Sequence, residues 1–334
     1  MAANPSLETN PALDDWIAFD AEGTVTVRSG KVDIGQRIST AAALLVADEL
    51  DIEPARVEVV RVETGLSPDE GFTSGSQSMA QTGNAVRLAA ATARRQLLER
   101  AAGMLEVDIA TLEVDDGTIH SRATNRKTNY WELAAGRPFG IAVDPDAPLR
   151  PREALRHVGT AATARGMEAL VRGRPYFLHD MSLPGMLHAR LVRPPHYRAR
   201  LTAVDEAVAE SLAAEGVEVV RDGSFLAVAA VDEYAAVRAA GRLSAAVSWD
   251  SGGGLETGDI YEGLRTNDRV SLPVVDGTPV EAPVPPPRPP PADAVATLEA
   301  RYERPYQMHA SLGPSAAVAA FAGGLLTVHT HSQG

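Results

Sequence analysis

Two proline-rich stretches most constrain what this chain can fold into. Residues 283–291 are almost all proline, and residues 138–156 mix proline with arginine. Proline has no N–H to donate and a fixed φ, so neither stretch can sit inside a helix or a central strand. Runs of it favour extended polyproline II and act as semi-rigid spacers. The 334 residues therefore divide into packed units. Residues 1–155 form one and 156–250 a second. Residues 251–294, opened by Ser251-Gly252-Gly253-Gly254, form a linker, and residues 295–334 the start of a further unit.

The local patterns give an α+β organisation. Residues 24–28 alternate polar and apolar, as a half-buried strand does. Ser39 or Thr40 offers a cap for a helix running to about Leu50. Residues 57–62 read as a strand and 64–78 as a polar loop. Val86, Ala89, Ala90, Ala93, Leu97, Leu98, Ala101 and Leu105 recur at helical spacing within residues 79–105, giving one core-facing stripe. A small hairpin is predicted over residues 112–119, and a helical turn over 130–135. In the second unit, residues 186–192 read as a strand and 204–214 as a helix. The order 225–231 (strand), 232–242 (helix), 246–249 (strand) predicts a right-handed β-α-β crossover, with Asp232 as N-cap. The final segment predicts strands at about 296–302, 316–321 and 325–331, the last two joined by Ala322-Gly323-Gly324.

Composition narrows the function classes. Net charge is −13, from 31 Lys+Arg against 44 Asp+Glu. Without a basic stripe such a chain is a poor binder of phosphate backbones and of anionic membrane surfaces. The absence of cysteine removes disulfides, thiolate nucleophiles and Fe–S ligation within the chain. The first residues lack the basic and apolar regions of a secretory signal. The apolar run at residues 41–47 is too short to span a bilayer. A cytoplasmic location without a transmembrane segment is the expectation.

Two loops share one construction. Gly35-Gln36 lies between a strand and a helix start, and Thr73-Ser74-Gly75-Ser76-Gln77-Ser78 leads into the long helix. Amide donors at a helix N-terminus, with glycine allowing close backbone approach, suit an anionic ligand such as phosphate. Hydroxyls add donors without adding charge. Ordinary N-capping accounts for each loop taken alone. His329 and His331 share one face of a strand, a spacing found in metal sites and equally in edge-strand histidines without metal. The chain has no Gly-x-Ser-x-Gly, P-loop or His-Glu-x-x-His. The last strand is followed directly by His331-Ser332-Gln333-Gly334. This predicts a site that begins here and is completed elsewhere, in a split enzyme or a truncated gene product.

The combination resembles the molybdopterin-binding subunit of the xanthine dehydrogenase and aldehyde oxidase family. The resemblance is carried by Ser29-Gly30-Lys31-Val32-Asp33-Ile34-Gly35-Gln36 with Thr40 and Ala47-Asp48-Glu49-Leu50, and by Thr64-Gly65, Pro68 and Thr73-x-Gly75-Ser76-x-Ser78 with Gly83 and Ala85. The second unit is similar to that family's hammerhead-like domain through Asp180-Met181-x-Leu183-Pro184-Gly185-Met186-Leu187-His188-Ala189 and Val192-Arg193-Pro194-Pro195. Tyr302–Pro305, His309, Gly313-Pro314-Ser315, Ala317-Val318-Ala319 and Ser332-Gln333-Gly334 resemble the start of its cofactor domain. The Gly-Gln segment precedes the hammerhead-like part, as in the nicotinate dehydrogenase and isoquinoline oxidoreductase branch.

The resemblance implies a molybdenum–molybdopterin dinucleotide cofactor lined by Gly35, Gln36, Gly75, Ser76, Ser78, Gln333 and Gly334, with Gln333 near an oxygen ligand of the metal. It implies water-derived hydroxylation of an N-heterocycle or aldehyde, with electrons passed to a 2Fe–2S subunit, since Fe–S clusters belong only on a partner. Two departures stand out. Arg37 replaces a frequent glycine, and Gly313 replaces a frequent glutamate, which weakens a substrate role for His309. The family's Gly-rich, Phe-containing loop and its general-base glutamate have no match, so no catalytic residue is assigned, and a second molybdopterin-subunit chain is expected to supply them. The alternative is a non-catalytic remnant or assembly module that binds partners through its last strand.

Overall fold

The computed structural model describes residues 4–250, 258–275 and 277–333. The chain forms two packed units of mixed helix and sheet. One takes in residues up to Met181 together with the segment from Ser315, and the other is Ser182–Pro314.

In the first unit, α1 (Pro5–Thr9) is capped by the Asn4 side chain. β1 (Ile17–Phe19) pairs antiparallel with β2 (Val25–Val27). α2 (Ile38–Leu50) follows, and β3 (Val57–Val59) returns parallel to β2. A π-helical turn at Met79–Gly83 leads into α3 (Asn84–Leu105). β4 (Leu112–Asp115), β5 (Thr118–Ser121) and β6 (Lys127–Asn129) make an antiparallel sheet. Two short helices, α4 (Tyr130–Ala134) and α5 (Met167–Val171), come next.

Alanine explains why α2 and α3 can share one core. Ala42, Ala43 and Ala47 of α2, and Ala85, Ala89 and Ala93 of α3, are buried. Small side chains let helix backbones approach closely, while Val46, Leu50 and Leu97 fill the remaining space. The apolar stripe expected on α3 is buried except for Leu98, which is half-buried. At the π turn, a Cβ on Gly83 would lie 3.1 Å from Met79 Cε and 3.5 Å from Leu45 Cδ1. A larger residue there would have to displace the Met79 side chain.

Neither Ser39 nor Thr40 caps α2. The cap position is Arg37, in the left-handed region at φ 62°. The Asp33 carboxylate receives the N–H groups of Gly35 and Arg37 and the Ser39 hydroxyl, while Thr40 Oγ1 accepts from the Arg165 N–H. A carboxylate four residues before the cap position thus fixes the turn that leads into the helix. Proline stretch 138–156 is tied down at its end. Fully buried Glu49 accepts from Arg87 Nε at 2.7 Å and from the Arg150 N–H at 3.0 Å. Asp48 accepts the N–H groups of Arg156, His157 and Val158.

The second unit contains β7 (His188–Leu191), β8 (Leu201–Val204), α6 (Glu206–Ala214), β9 (Glu218–Asp222), β10 (Phe225–Ala230), α7 (Glu233–Ser244) and β11 (Val247–Trp249). Its core holds Leu212, Leu226, Val228, Ala236 and Leu243, and Asp232 caps α7 as expected. The predicted β-α-β crossover is not formed. β10 lies between β7 and β9, antiparallel to both, and β11 pairs antiparallel with β8 in a separate sheet. A tight turn at Gly223, φ 58°, brings β9 onto one edge of β10, and β7 fills the other. No edge of β10 is left for β11.

Beyond this, α8 (Ile260–Thr266) and the paired β12 (Val274–Val275) and β13 (Thr278–Pro279) lie within the stretch read as linker. Ser251–Gly254 fall outside the described residues. Residues 296–302 form no strand: their apolar alternation has no partner to pair with among the described residues. Back in the first unit, β14 (Ala317–Ala322) and β15 (Leu325–Thr330) form the expected hairpin. Gly323 and Gly324, at φ 59° and 82°, supply the mirror-image turn that such hairpins favour.

Candidate functional site

Residues 29–37 and 68–78 run beside each other in the first unit, joined by a ladder of hydrogen bonds. The Gly30 N–H donates to Glu70 Oε2 at 2.8 Å. Lys31 Nζ donates to the carbonyls of Glu70 and Phe72. The Val32 N–H donates to Thr73 Oγ1 at 2.8 Å, and Gln36 Nε2 to Ser78 Oγ at 3.4 Å. The contacts advance in step along both loops, so the loops lie parallel.

Three residues outside the predicted cofactor-lining set hold the site together. Lys31 is only 4% exposed, and its ammonium is satisfied by main-chain carbonyls. Glu70 also accepts from Ser6 Oγ and Thr82 Oγ1, each at 2.8 Å, which fastens its loop to α1 and to the turn before α3. Thr73, 3% exposed, is the junction. Its hydroxyl takes Val32, its N–H donates to the Gln333 carbonyl at 2.6 Å, and its own carbonyl accepts from Gln333 Nε2 at 3.0 Å. The available signal was an unusual one: a lysine directly after the glycine of a Ser-Gly turn, where a solvated side chain is the ordinary expectation.

The predicted residues fall as follows. Gly35 is exposed at φ 109°. Gln36 folds over its own turn, its Oε1 accepting from the Ile34 N–H and its Nε2 donating to the Val32 carbonyl and to Ser78. Gly75 and Ser76 are consecutive left-handed residues, at φ 65° and 58°, both exposed. Ser78 is half-buried and Gln333 exposed. Gly334 lies outside the described residues. The fold therefore brings together Gln36 with Ser78, and Gln333 with the threonine that opens the Gly75–Ser76 loop. His331 Nε2 instead accepts from the Ala316 N–H, and His329 sits opposite Val318 in the hairpin. Among the described residues no group of three or more His, Asp or Glu is arranged to hold a metal ion. Two surface hollows, of about 360 and 560 Å³, lie against other residues of the first unit.

The electrostatics of the paired loops leave neutral donors outward. Burial alone would raise the Asp33 carboxyl, but hydrogen bonds from Ser39, Gly35 and Arg37 outweigh it and hold the group below the usual carboxylate range. Its charge is spent inside its own turn. The Glu70 carboxylate is likewise occupied by Ser6, Gly30 and Thr82. The exposed rim of serine, glycine and carboxamide suits a ligand that brings its own negative charge and needs hydrogen-bond donors to receive it.

Residues 3–164 match the family model of the molybdopterin cofactor-binding domain. The chain is 36% identical over 330 residues to a nicotinate dehydrogenase subunit from Pseudomonas putida, a match covering 95% of this chain and 27% of that protein. It is 36% identical over 127 residues to the gamma subunit of the 6-hydroxypseudooxynicotine dehydrogenase complex of Paenarthrobacter nicotinovorans, covering 38% of this chain and 16% of that one. Identity to the beta subunit of isoquinoline 1-oxidoreductase from Brevundimonas diminuta is 24% over 255 residues, covering 63% of this chain and 33% of that protein. The chain thus spans a third or less of the length of each of these relatives. No helix among the described residues is long and apolar enough to cross a membrane. With the paired loops falling inside the matched domain, the chain belongs to the molybdopterin-binding subunits of the xanthine dehydrogenase and aldehyde oxidase family.

Proposed function

We propose that this chain forms part of the cofactor cradle of a cytoplasmic molybdenum hydroxylase acting on an N-heterocycle or an aldehyde. When bound, the molybdenum–molybdopterin dinucleotide supplies the redox chemistry, as cofactors generally do, and the protein binds and orients it. Gly35, Gln36, Gly75, Ser76 and Ser78 would receive the anionic parts of the cofactor through backbone and hydroxyl donors. Gln333 would lie toward the metal end. The donor set fits: it is uncharged, exposed and braced from behind by Lys31, Glu70 and Thr73.

The observation that carries this reading is the convergence of three segments far apart in sequence. Gln36 meets Ser78, and Gln333 meets Thr73, within a domain matched to molybdopterin binding. The second unit, two antiparallel sheets sharing a core with two helices, would be the hammerhead-like domain. Residues 1–155 and 295–334 would be the two cofactor-domain portions. No residue here matches the family's general base and the sequence has no cysteine, so in this reading the base and the 2Fe–2S clusters would be supplied from outside these 334 residues. This chain alone would not turn over.

Purification from the native host tests this. Molybdenum, a second polypeptide and Fe–S absorbance should accompany the chain, and Gln333→Ala should lower turnover in the assembled enzyme without loss of fold. A metal-free monomer from the host, or full turnover of that variant, would refute the reading. One feature favours a second reading, a non-catalytic assembly module. Phe321, Leu325, Leu326 and Val328 are all exposed on the β14–β15 hairpin. A complex containing partners but no molybdenum would support it.

A further inference from the structure

We propose that Arg37 and Tyr176 form a latch that holds the Gly35–Gln36 turn in shape, making both positioning residues of the site. The link to the cofactor rests on the role proposed above for Gln36; the latch itself does not.

Arg37 occupies left-handed backbone, φ 62° and ψ 35°. Side chains with a Cβ are disfavoured there, and glycine is the residue of least strain. An arginine persists at such a position where surrounding contacts hold it. One is present: Arg37 Nη1 donates to the Tyr176 hydroxyl at 3.1 Å. That phenol is fixed from several sides. A Cβ on Gly166, itself at φ 73°, would lie 2.5 Å from Tyr176 Cε2, so the ring rests directly on the glycine. The Phe177 ring packs edge-on with centroids 5.3 Å apart. The N–H groups of Tyr176 and Phe177 both donate to Asp180 Oδ2, at 2.9 and 2.8 Å.

A second attachment lies nearby. The Arg165 N–H donates to Thr40 Oγ1 at 3.0 Å, and Arg165 Nη1 to the Val57 carbonyl at 2.7 Å. Residues 165–180 therefore grip the first turn of α2 at Thr40 and, through Tyr176, at Arg37. Arg37 directly follows Gln36, whose own bond to Ser78 is long at 3.4 Å. The turn thus has a firm support on one side where its contact to the serine loop is weak.

Amide hydrogen exchange on the full chain tests the latch, because the two possible roles of Arg37 predict opposite results. Arg37→Gly relieves backbone strain. Were the side chain idle, exchange in residues 33–38 would slow or stay the same. With a latch, exchange there rises about fivefold or more, the loss of roughly one hydrogen bond. Tyr176→Phe, which leaves that backbone untouched, should raise exchange in the same segment. The double variant should add little to either, and Arg37→Lys, which keeps a donor, should restore part of the protection. Unchanged protection in Tyr176→Phe, or slower exchange in Arg37→Gly, would overturn the proposal. Molybdenum content of the assembled enzyme separates the two layers. If Tyr176→Phe loosens the turn yet retains full molybdenum, the latch stands and the role of Gln36 toward the cofactor fails.

Discussion

Gly30 is where the two loops come closest, and Gly30→Ala should show how much of the first unit's stability depends on that approach. An added Cβ would sit 2.0 Å from the Pro68 carbonyl oxygen, 2.9 Å from the Glu70 nitrogen and 3.1 Å from Glu70 Cβ. A relaxed carbon–oxygen contact is about 3.3 Å, so the loops must part by about 1.3 Å. Two of the three obstacles are backbone and cannot rotate away. Parting by that amount stretches the 2.8 Å bond from Val32 to Thr73 to about 4 Å, beyond any hydrogen bond. Overpacking costs about 1–3 kcal/mol, and each broken bond about 0.5–1.5 kcal/mol. The sum is about 2–4 kcal/mol, or a urea midpoint lower by about 1–2 M for an m value near 2 kcal/mol/M. Gly103 is the control. It lies in α3, exposed, with nothing within 4 Å of a Cβ. Gly103→Ala should leave the midpoint unchanged or raise it by up to about 1 kcal/mol of helix propensity. A Gly30→Ala midpoint within about 0.3 M of the parent, where the error of the method lies, would refute the close-approach reasoning.

Other perturbations probe the supports. Lys31→Met leaves the Glu70 and Phe72 carbonyls without their donor, and thermal unfolding should show a loss of about 2–4 kcal/mol. Asp48→Ala removes the acceptor of three consecutive N–H groups. Trypsin should then cut after Arg152 and Arg156 several-fold faster, while the α3 core stays protected. Acid should destabilise the fold through three carboxylates held below their ordinary range. The Arg56 side chain lowers Asp116 and the Arg95 side chain lowers Asp144. Hydrogen bonds led by Ser39 outweigh burial at Asp33. A depressed folded value means the contribution is complete above the unfolded carboxyl pKa of about 4 and is lost as pH falls through the folded value. The urea midpoint should therefore be flat from pH 7 to about 5 and fall below about 4, and Asp116→Asn should make that fall shallower.

Much of the first unit was legible because its signals are local. The α3 stripe repeats at helical spacing, and the two glycines between β14 and β15 announce their turn. What was not legible depends on pairing across the chain. β10 reads locally as half of a parallel crossover, but a hairpin with β9 and an edge taken by β7 decide its neighbours. Residues 296–302 have the alternation of a strand and, among the described residues, no partner. The candidate site shows the same division. Gly35, Gln36, Gly75, Ser76 and Ser78 belong to recognisable turns. Lys31 and Glu70 sit about forty residues apart in polar surroundings, and only the meeting of two loops turns them from solvated charges into a buried and a half-buried brace.

Thr73 and Ser78 anchor the proposed site unequally. The bonds of Thr73 to Gln333 include both of its main-chain polar groups, and no substitution at Thr73 other than proline removes the N–H donor. On the Thr73 side the link therefore depends little on side-chain identity, while on the other side one of its two bonds comes from the Gln333 carboxamide. The Gln36–Ser78 link is the reverse: one long bond between two exposed or half-exposed side chains. The ladder is thus firmer at Thr73 than at Ser78, and the proposed site is least braced at Gln36. In the proposed cradle, whatever holds Gln36 would set the spacing of the two loops. In this chain the residue placed to do so is Arg37, held in strained backbone by a tyrosine whose own ring and main chain are fixed by Gly166, Phe177 and Asp180.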